Sequence, residues 1–257
     1  MNFCKDLLNV RTQTQNNFVY GELGRTTLLA KRSLSVIRYW MKIVQMETIR
    51  YVKIVYDQLY CDLEDNPNFK SWAYMVKHLL QALGFNHVWM YQGVGDVDVF
   101  MFSVKQRITD IFIQKWISEL SDSTRARSYI LFADFKLQSY LSDVNIVKYR
   151  TALSRIRVSA HRLEIETGRW HKPVAIPHCD RKCLACNLLE DEFHFILECQ
   201  LYKDLRKQYL KQYYYTAPNI PKFVALFQSQ NVTVNRNLAI YVYKAMELRE
   251  RYVLYYG

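Results

Sequence analysis

Cys183, Cys186, His194 and Cys199 have the side-chain types and the spacing that bind a metal ion. The pattern C-x2-C-x7-H-x4-C offers three thiolates and one imidazole to a single Zn2+. With all four tetrahedral positions filled by protein, such a zinc is structural and keeps no place for a reactive water. Two cysteines two residues apart can aim both sulfurs at one atom because the chain reverses between them. His194 and Cys199 must come from a second element. Five residues on an ideal helix rotate a side chain by about 500°, roughly 140° from its start, so the helix has to loosen between them or end before Cys199. Phe193, Phe195, Ile196 and Leu188 are expected to cover the site, and Arg181 and Lys182 to soften its net negative charge. Packing is the competing account, since unpaired cysteine is often buried, but four ligand types at this spacing seldom arise from packing. Cys179 and His178 remain alternative ligands, because Cys179-x3-Cys183 is also a feasible pair.

The stretch before this quartet is basic. Lys148, Arg150, Arg155, Arg157, Arg162, Arg169 and Lys172 stand against only Glu164 and Glu166, with His161 and His171 in addition. Arg155, Arg162 and Arg169 recur every seven residues. If one helix carries them they line one side, as a phosphate-tracking surface would, and Trp170 beside them offers a face on which a base can stack. Taken singly, each of these residues is better explained by a solvated helix face, with Trp170 as a core anchor. As a set directly before a metal module they point to RNA or DNA. Lys203, Arg206, Lys207 and Lys211 extend the positive charge, whereas Tyr213, Tyr214 and Tyr215 are more simply read as packing residues.

Catalytic patterns are weaker. Two-metal polymerase or nuclease chemistry needs paired carboxylates. The best pair, Asp96 and Asp98, sits at an expected helix start, where aspartate caps. Asp134 stands alone among aromatic residues, and the phosphate-binding glycine patterns are absent.

The elements that must position these residues are helical. Half of the 257 residues are hydrophobic and only 7 are Gly and 5 Pro, which argues against long disordered linkers and a loop-rich all-β fold. Apolar periodicity predicts helices over residues 26–44, 48–63, 69–83, 97–120 and 123–135, then over 145–158 and 159–167 as two helices or one bent helix, with two more over 222–228 and 235–252. The expected fold is an all-α, irregular helical bundle with the metal module in its C-terminal half, divided into residues 1–145 and 146–257. The formal charge of +11 favours a polyanionic partner. No apolar run approaches the roughly 18 residues of a membrane helix, and no leader-type sequence opens the chain. The cysteines are clustered, unlike a disulfide framework, so an intracellular setting, nuclear or cytoplasmic and not secreted, is expected, with no membrane and no small-molecule substrate.

The quartet Cys183, Cys186, His194, Cys199 resembles the zinc knuckle downstream of the reverse transcriptase domain in non-LTR (LINE-type) retrotransposon polyproteins. Residues 152–170, ALSRIRVSAHRLEIETGRW, are similar to the segment that leads into it. Residues 7–10 and the stretch from Thr14 to VYGELGR at 19–25 are similar to the thumb region just after the polymerase palm. The resemblance implies that residues 1–145 are thumb- and connector-like. It also implies a chain that holds template RNA or target DNA during target-primed reverse transcription, with the polymerase part of the same element as a further partner. The aromatic-x-Asp-Asp motif of the palm is missing, and no Pro-Asp or Lys endonuclease signature follows Cys199. The expectation is therefore a fragment that is not itself an enzyme, with Met1 an internal methionine. The alternative is a helical interaction scaffold in which zinc is purely structural.

Overall fold

The computed structural model describes residues 2–256. The chain is helical as expected, with no strand among the described residues and a lone antiparallel bridge between Lys182 and Leu189. It forms two compact units. One is the continuous stretch Thr26–Ile117, and the other gathers the described residues up to Arg25 and from Ser118 onward. The expected boundary after residue 145 falls inside the second.

In the unit Thr26–Ile117 the helices start and stop where their end residues dictate. Thr27 caps Leu28–Val44 by accepting from the Ala30 N–H at 3.3 Å, and Ser71 caps Trp72–Ala82 through the Tyr74 N–H at 3.2 Å. Gly84, at φ +82°, ends the latter in a left-handed conformation that residues with a Cβ rarely adopt. Asp96 accepts from the N–H groups of Asp98 (2.9 Å) and Val99 (3.0 Å), so it caps Val97–Ser121. Ile37, Trp40 and Met41 meet Val76, Leu80, Trp89 and Val104 in the core. There Trp40 and Trp89 stack at 5.9 Å. Trp40 Nε1 donates to Tyr56 Oη at 2.8 Å, which satisfies the indole in an otherwise apolar interior, and burial pushes the Tyr56 phenol up to about 12.

The second unit closes around Arg157. This residue ends the helix Val147–Arg157 and is buried, so it is not part of a nucleic-acid surface as its place in the basic stretch suggests. Its guanidinium donates to both oxygens of the buried Glu22 (2.7 and 3.1 Å), to the Phe227 carbonyl (2.7 Å) and to Gln138 Oε1 (3.0 Å). It also lies over the rings of Phe132 (4.8 Å) and Tyr140 (5.0 Å). Burial by itself would lower the Arg157 pKa, but the Glu22 carboxylate outweighs it and the pKa is raised. Glu22 is held in place by the chain reversal after it. Gly24 sits at φ +57°, where a Cβ would come within 2.6 Å of the Lys136 and Leu137 backbone.

Two expected helices are shorter than their periodicity suggests. Within 123–135 only Tyr129–Phe132 is helical, because backbone carbonyls there accept long-range bonds: Arg125 from Ser159 Oγ (3.0 Å) and Phe132 from Gln228 (3.3 Å). Within 159–167 the helix is confined to Glu164–Thr167, since Ser159 takes φ +51° and turns the chain after Arg157. The C-terminal helix Val232–Tyr256 packs along Val147–Arg157 and Lys203–Tyr209.

Glu22→Ala leaves a buried guanidinium unpaired and is expected to cost about 3–5 kcal/mol. Urea denaturation followed by circular dichroism should show it, and the double variant Glu22→Leu/Arg157→Met should cost less than Glu22→Ala alone. Equal midpoints for Glu22→Ala and the unaltered chain would remove this pair from the account of stability.

Candidate metal centre

The first two cysteines stand on a tight hairpin. The Cys183 N–H donates to Leu188 O (2.7 Å), Asn187 N–H to Cys183 O (2.8 Å) and Glu190 N–H to Arg181 O (2.9 Å). Asn187 supplies the left-handed residue of the turn at φ +55°, a conformation that Asn tolerates better than most side chains. Glu190, at the hairpin's end, is buried and bound by Arg249 of the last helix, with Nε donating to Oε1 at 2.8 Å.

The other two ligands lie on a widened turn. Residues His194–Glu198 form a π-helix, and the Cys199 N–H donates to His194 O at 2.9 Å, five residues back. The five-residue offset that an ideal α-helix would splay apart is accommodated because the turn loosens and Cys199 lies just past its end. Asp191 starts the turn by accepting from the His194 N–H at 2.8 Å. The carbonyls that a widened turn frees are taken by buried side chains. Tyr241 Oη donates to Phe195 O (2.8 Å), and Arg206 donates to Ile196 O (3.4 Å) and to Cys199 O. Arg206 is therefore an internal support of the turn, not part of the positive surface that Lys203 and Lys207 present.

These elements bring Cys183, Cys186, His194 and Cys199 together, with all four ligand atoms within 4.8 Å of one another. Cys183 Sγ lies 3.8 Å from Cys199 Sγ and Cys186 Sγ 3.5 Å from it. A tetrahedral ion with metal–sulfur bonds of about 2.3 Å has sulfur–sulfur edges of about 3.8 Å. Among the described residues Nε2 of the buried His194 has no hydrogen-bond partner and Nδ1 has only the Glu198 carboxylate at a loose 3.5 Å, an expensive arrangement for an imidazole unless a nitrogen ligates a cation. Burial pulls the His194 pKa down, but Cys183 and Glu198 outweigh it and raise it. Among the sulfurs, the hydrogen bond from Cys199 holds Cys183 down at about 3, while the same bond pushes Cys199 up. Only a cation lets all three be thiolates together. The quartet thus fits a metal ion. The alternatives His178 and Cys179 lie outside it; Cys179 is exposed, and the half-buried His178 is within 2.8 Å of Arg127 Nη1.

The expected surroundings hold only in part. Phe195 and Ile196 are buried beside the ligands, but Leu188 is 56% exposed at the hairpin tip. Arg181 does not soften the sulfur charge, because it donates to Ile176 O and Ile165 O, both at 3.0 Å.

The basic stretch is dispersed. With the helix ending at Arg157, Arg155, Arg162 and Arg169 do not share one helix face. Lys148 is exposed over the Tyr149 and Tyr243 rings (5.1 and 5.0 Å), and Arg150 donates to Val144 O at 3.1 Å. Arg169 is engaged with Glu166 (3.0 Å) and Thr124 (3.1 Å), and His161 is buried against Glu192 at 2.8 Å. Arg155, Arg162, Trp170 and Lys172 remain at the surface; Arg155 bonds Asn9 O at 3.2 Å, and Arg162 lies a loose 3.6 Å from Glu250. Arg162 and Trp170 line an open cleft of about 620 Å³ together with Arg11 and Arg125. Arg11 and Arg125 carry no local signal, since their place in the cleft depends on pairings across much of the chain.

No helix among the described residues is long and apolar enough to cross a membrane. No family model matches the chain, and no curated protein or solved structure matches it.

The purified protein should carry one metal ion per chain by plasma mass spectrometry, and Cys186→Ser/His194→Ala should lose it. A strong chelator should strip the ion and increase backbone hydrogen exchange between residues 181 and 202. A folded protein free of metal after growth in metal-replete medium would rule the site out.

Proposed function

We propose that the chain is a nucleic-acid-binding module whose metal centre is a structural zinc. Three thiolates and one imidazole suit Zn2+, and four protein ligands leave no open coordination position. Cys183 and Cys186 would hold the ion from the hairpin and His194 and Cys199 from the widened turn. Bound there, the metal supplies a crosslink between two short elements that have little core of their own.

The observation that carries the binding role is the exposed group Arg162 and Trp170 at an open, arginine-lined cleft. The Trp170 side chain is 70% exposed, with no ring contact to it among the described residues, and Arg11 and Arg162 offer guanidinium groups near its cleft. An aromatic face beside cations suits a single strand, whose bases stack while its phosphates meet the charges. Arg155 and Lys172 add charge nearby in sequence. By its resemblance to the thumb, connector and zinc-knuckle part of a non-LTR retrotransposon reverse transcriptase, a part without palm aspartates, the module would hold template RNA or target DNA and not polymerise. It would work with a polymerase part of the same kind of element.

A labelled single-stranded RNA or DNA oligonucleotide should bind with an affinity that falls steeply with salt, by a slope of about 0.7 per phosphate neutralised. Arg155→Ala/Arg162→Ala should reduce that slope, and Trp170→Ala should cost about 1–3 kcal/mol of binding. Absence of binding at low salt, with zinc still bound, would leave the helical scaffold with a purely structural zinc as the reading.

A further inference from the structure

The helix Leu28–Val44 in the other unit contains no acidic residue, and none occurs between Glu22 and Glu47. Its inner face is spent: Ile37, Trp40, Met41 and Ile43 are buried in the core. Its outer face carries Lys31, Arg32, Arg38 and Lys42, all exposed. At 100° per residue, Lys31, Arg38 and Lys42 fall within about 40° of one another and span about 16 Å along the axis, with Ser35 between them. Arg32 and Tyr39 flank this row.

None of these four cations makes an ion pair or a side-chain hydrogen bond among the described residues. Three of the four acids of the neighbouring helix Tyr51–Asp65 are engaged elsewhere: Asp57 with Lys53 (2.7 Å), Asp62 with Gln58 (2.7 Å) and Glu64 with Lys77 (3.4 Å); the fourth, Asp65, is exposed at its last residue. A row of like charges on a straight helix, left unneutralised by its own unit, raises self-repulsion that an external polyanion relieves.

We propose that the row Lys31, Arg38, Lys42 is a second binding surface, separate from the Trp170 cleft, that tracks the phosphate backbone of a nucleic-acid duplex. A duplex presents about one negative charge per 1.7 Å of axis, a continuous rail against which three cations on a rigid helix can all be satisfied at once. The aromatic side chain that flanks the row, Tyr39, is packed edge-on against Trp72 with ring centroids 5.9 Å apart, which favours a duplex over a single strand whose bases must stack. An anionic membrane fits less well, because surface helices bind lipid by burying a continuous apolar face; here Ile37, Trp40, Met41 and Ile43 are in the core, and the aliphatic side chains left largely exposed, Leu28 and Leu29, are confined to the first turn.

The full-length, metal-loaded protein is titrated with a fluorescent 20-base-pair DNA duplex between 50 and 200 mM KCl. Lys31→Ala/Arg38→Ala/Lys42→Ala is expected to lower the slope of log Kobs against log salt by about 2.7, or 0.9 for each phosphate left unneutralised. It should leave helix content by circular dichroism and the binding of a single-stranded oligonucleotide unchanged, so that failure here is distinct from failure of the Trp170 surface. Lys31→Arg/Lys42→Arg should keep the duplex slope. A control variant, Lys70→Ala/Lys105→Ala/Arg107→Ala, removes three exposed charges elsewhere in the same unit. Equal losses in the control and the row variant would reduce the effect to net charge and overturn the proposal. So would row-dependent binding to phosphatidylserine vesicles without row-dependent binding to the duplex.

Discussion

The guanidinium of Arg157 sits where segments far apart in sequence converge. It reaches Glu22, 135 residues earlier, and the carbonyl of Phe227, 70 residues later, with Gln138 as a third partner. Its nitrogens are directed at acceptors and aromatic rings exclude water around it, so the charge is tolerable only while all partners are in place. That requirement ties the start of the chain to the unit that also carries the metal centre. Well-packed apolar residues could match the stability of this cluster, but they would not fix the relative positions of these segments so narrowly.

The metal centre depends on a comparable arrangement one layer out. Two ligands five residues apart demand a turn wider than an α-helix, and such a turn leaves carbonyls without their usual donors. Tyr241 and Arg206 supply those donors, and Arg249 holds the hairpin through Glu190. Tyr241 and Arg249 both belong to Val232–Tyr256. The geometry of four ligands is thus set from outside by a helix that contributes no ligand.

How much of this can be read from sequence follows from the range of each interaction. The quartet is legible because its ligands lie close together along the chain and their spacing is itself the constraint. The helices Leu28–Val44 and Trp72–Ala82 are legible because Thr27, Ser71 and Gly84 mark their ends locally. Arg155 and Arg157 look alike, two basic residues two apart, yet one faces solvent and the other fills the core. Nothing near them tells which has a buried carboxylate waiting, since Glu22 belongs to another part of the chain. Arg206 is hidden for the same reason: its acceptors exist only after the widened turn has formed. The division into units is hidden too, because the pairing of the N-terminal helices with residues beyond 117 leaves no local trace in composition.

That division also sets an order of events during synthesis. Residues 26–117 can collapse as soon as they leave the ribosome, for the core built on Ile37, Trp40, Val76, Trp89 and Val104 lies within that stretch. The segment bearing Glu22 emerges earlier but has to wait with its carboxylate in water until Arg157 appears, and longer for the Phe227 carbonyl. The segment made just before residues 26–117 is locked after them, and a nascent chain stalled between the two would display a finished insert on an open frame.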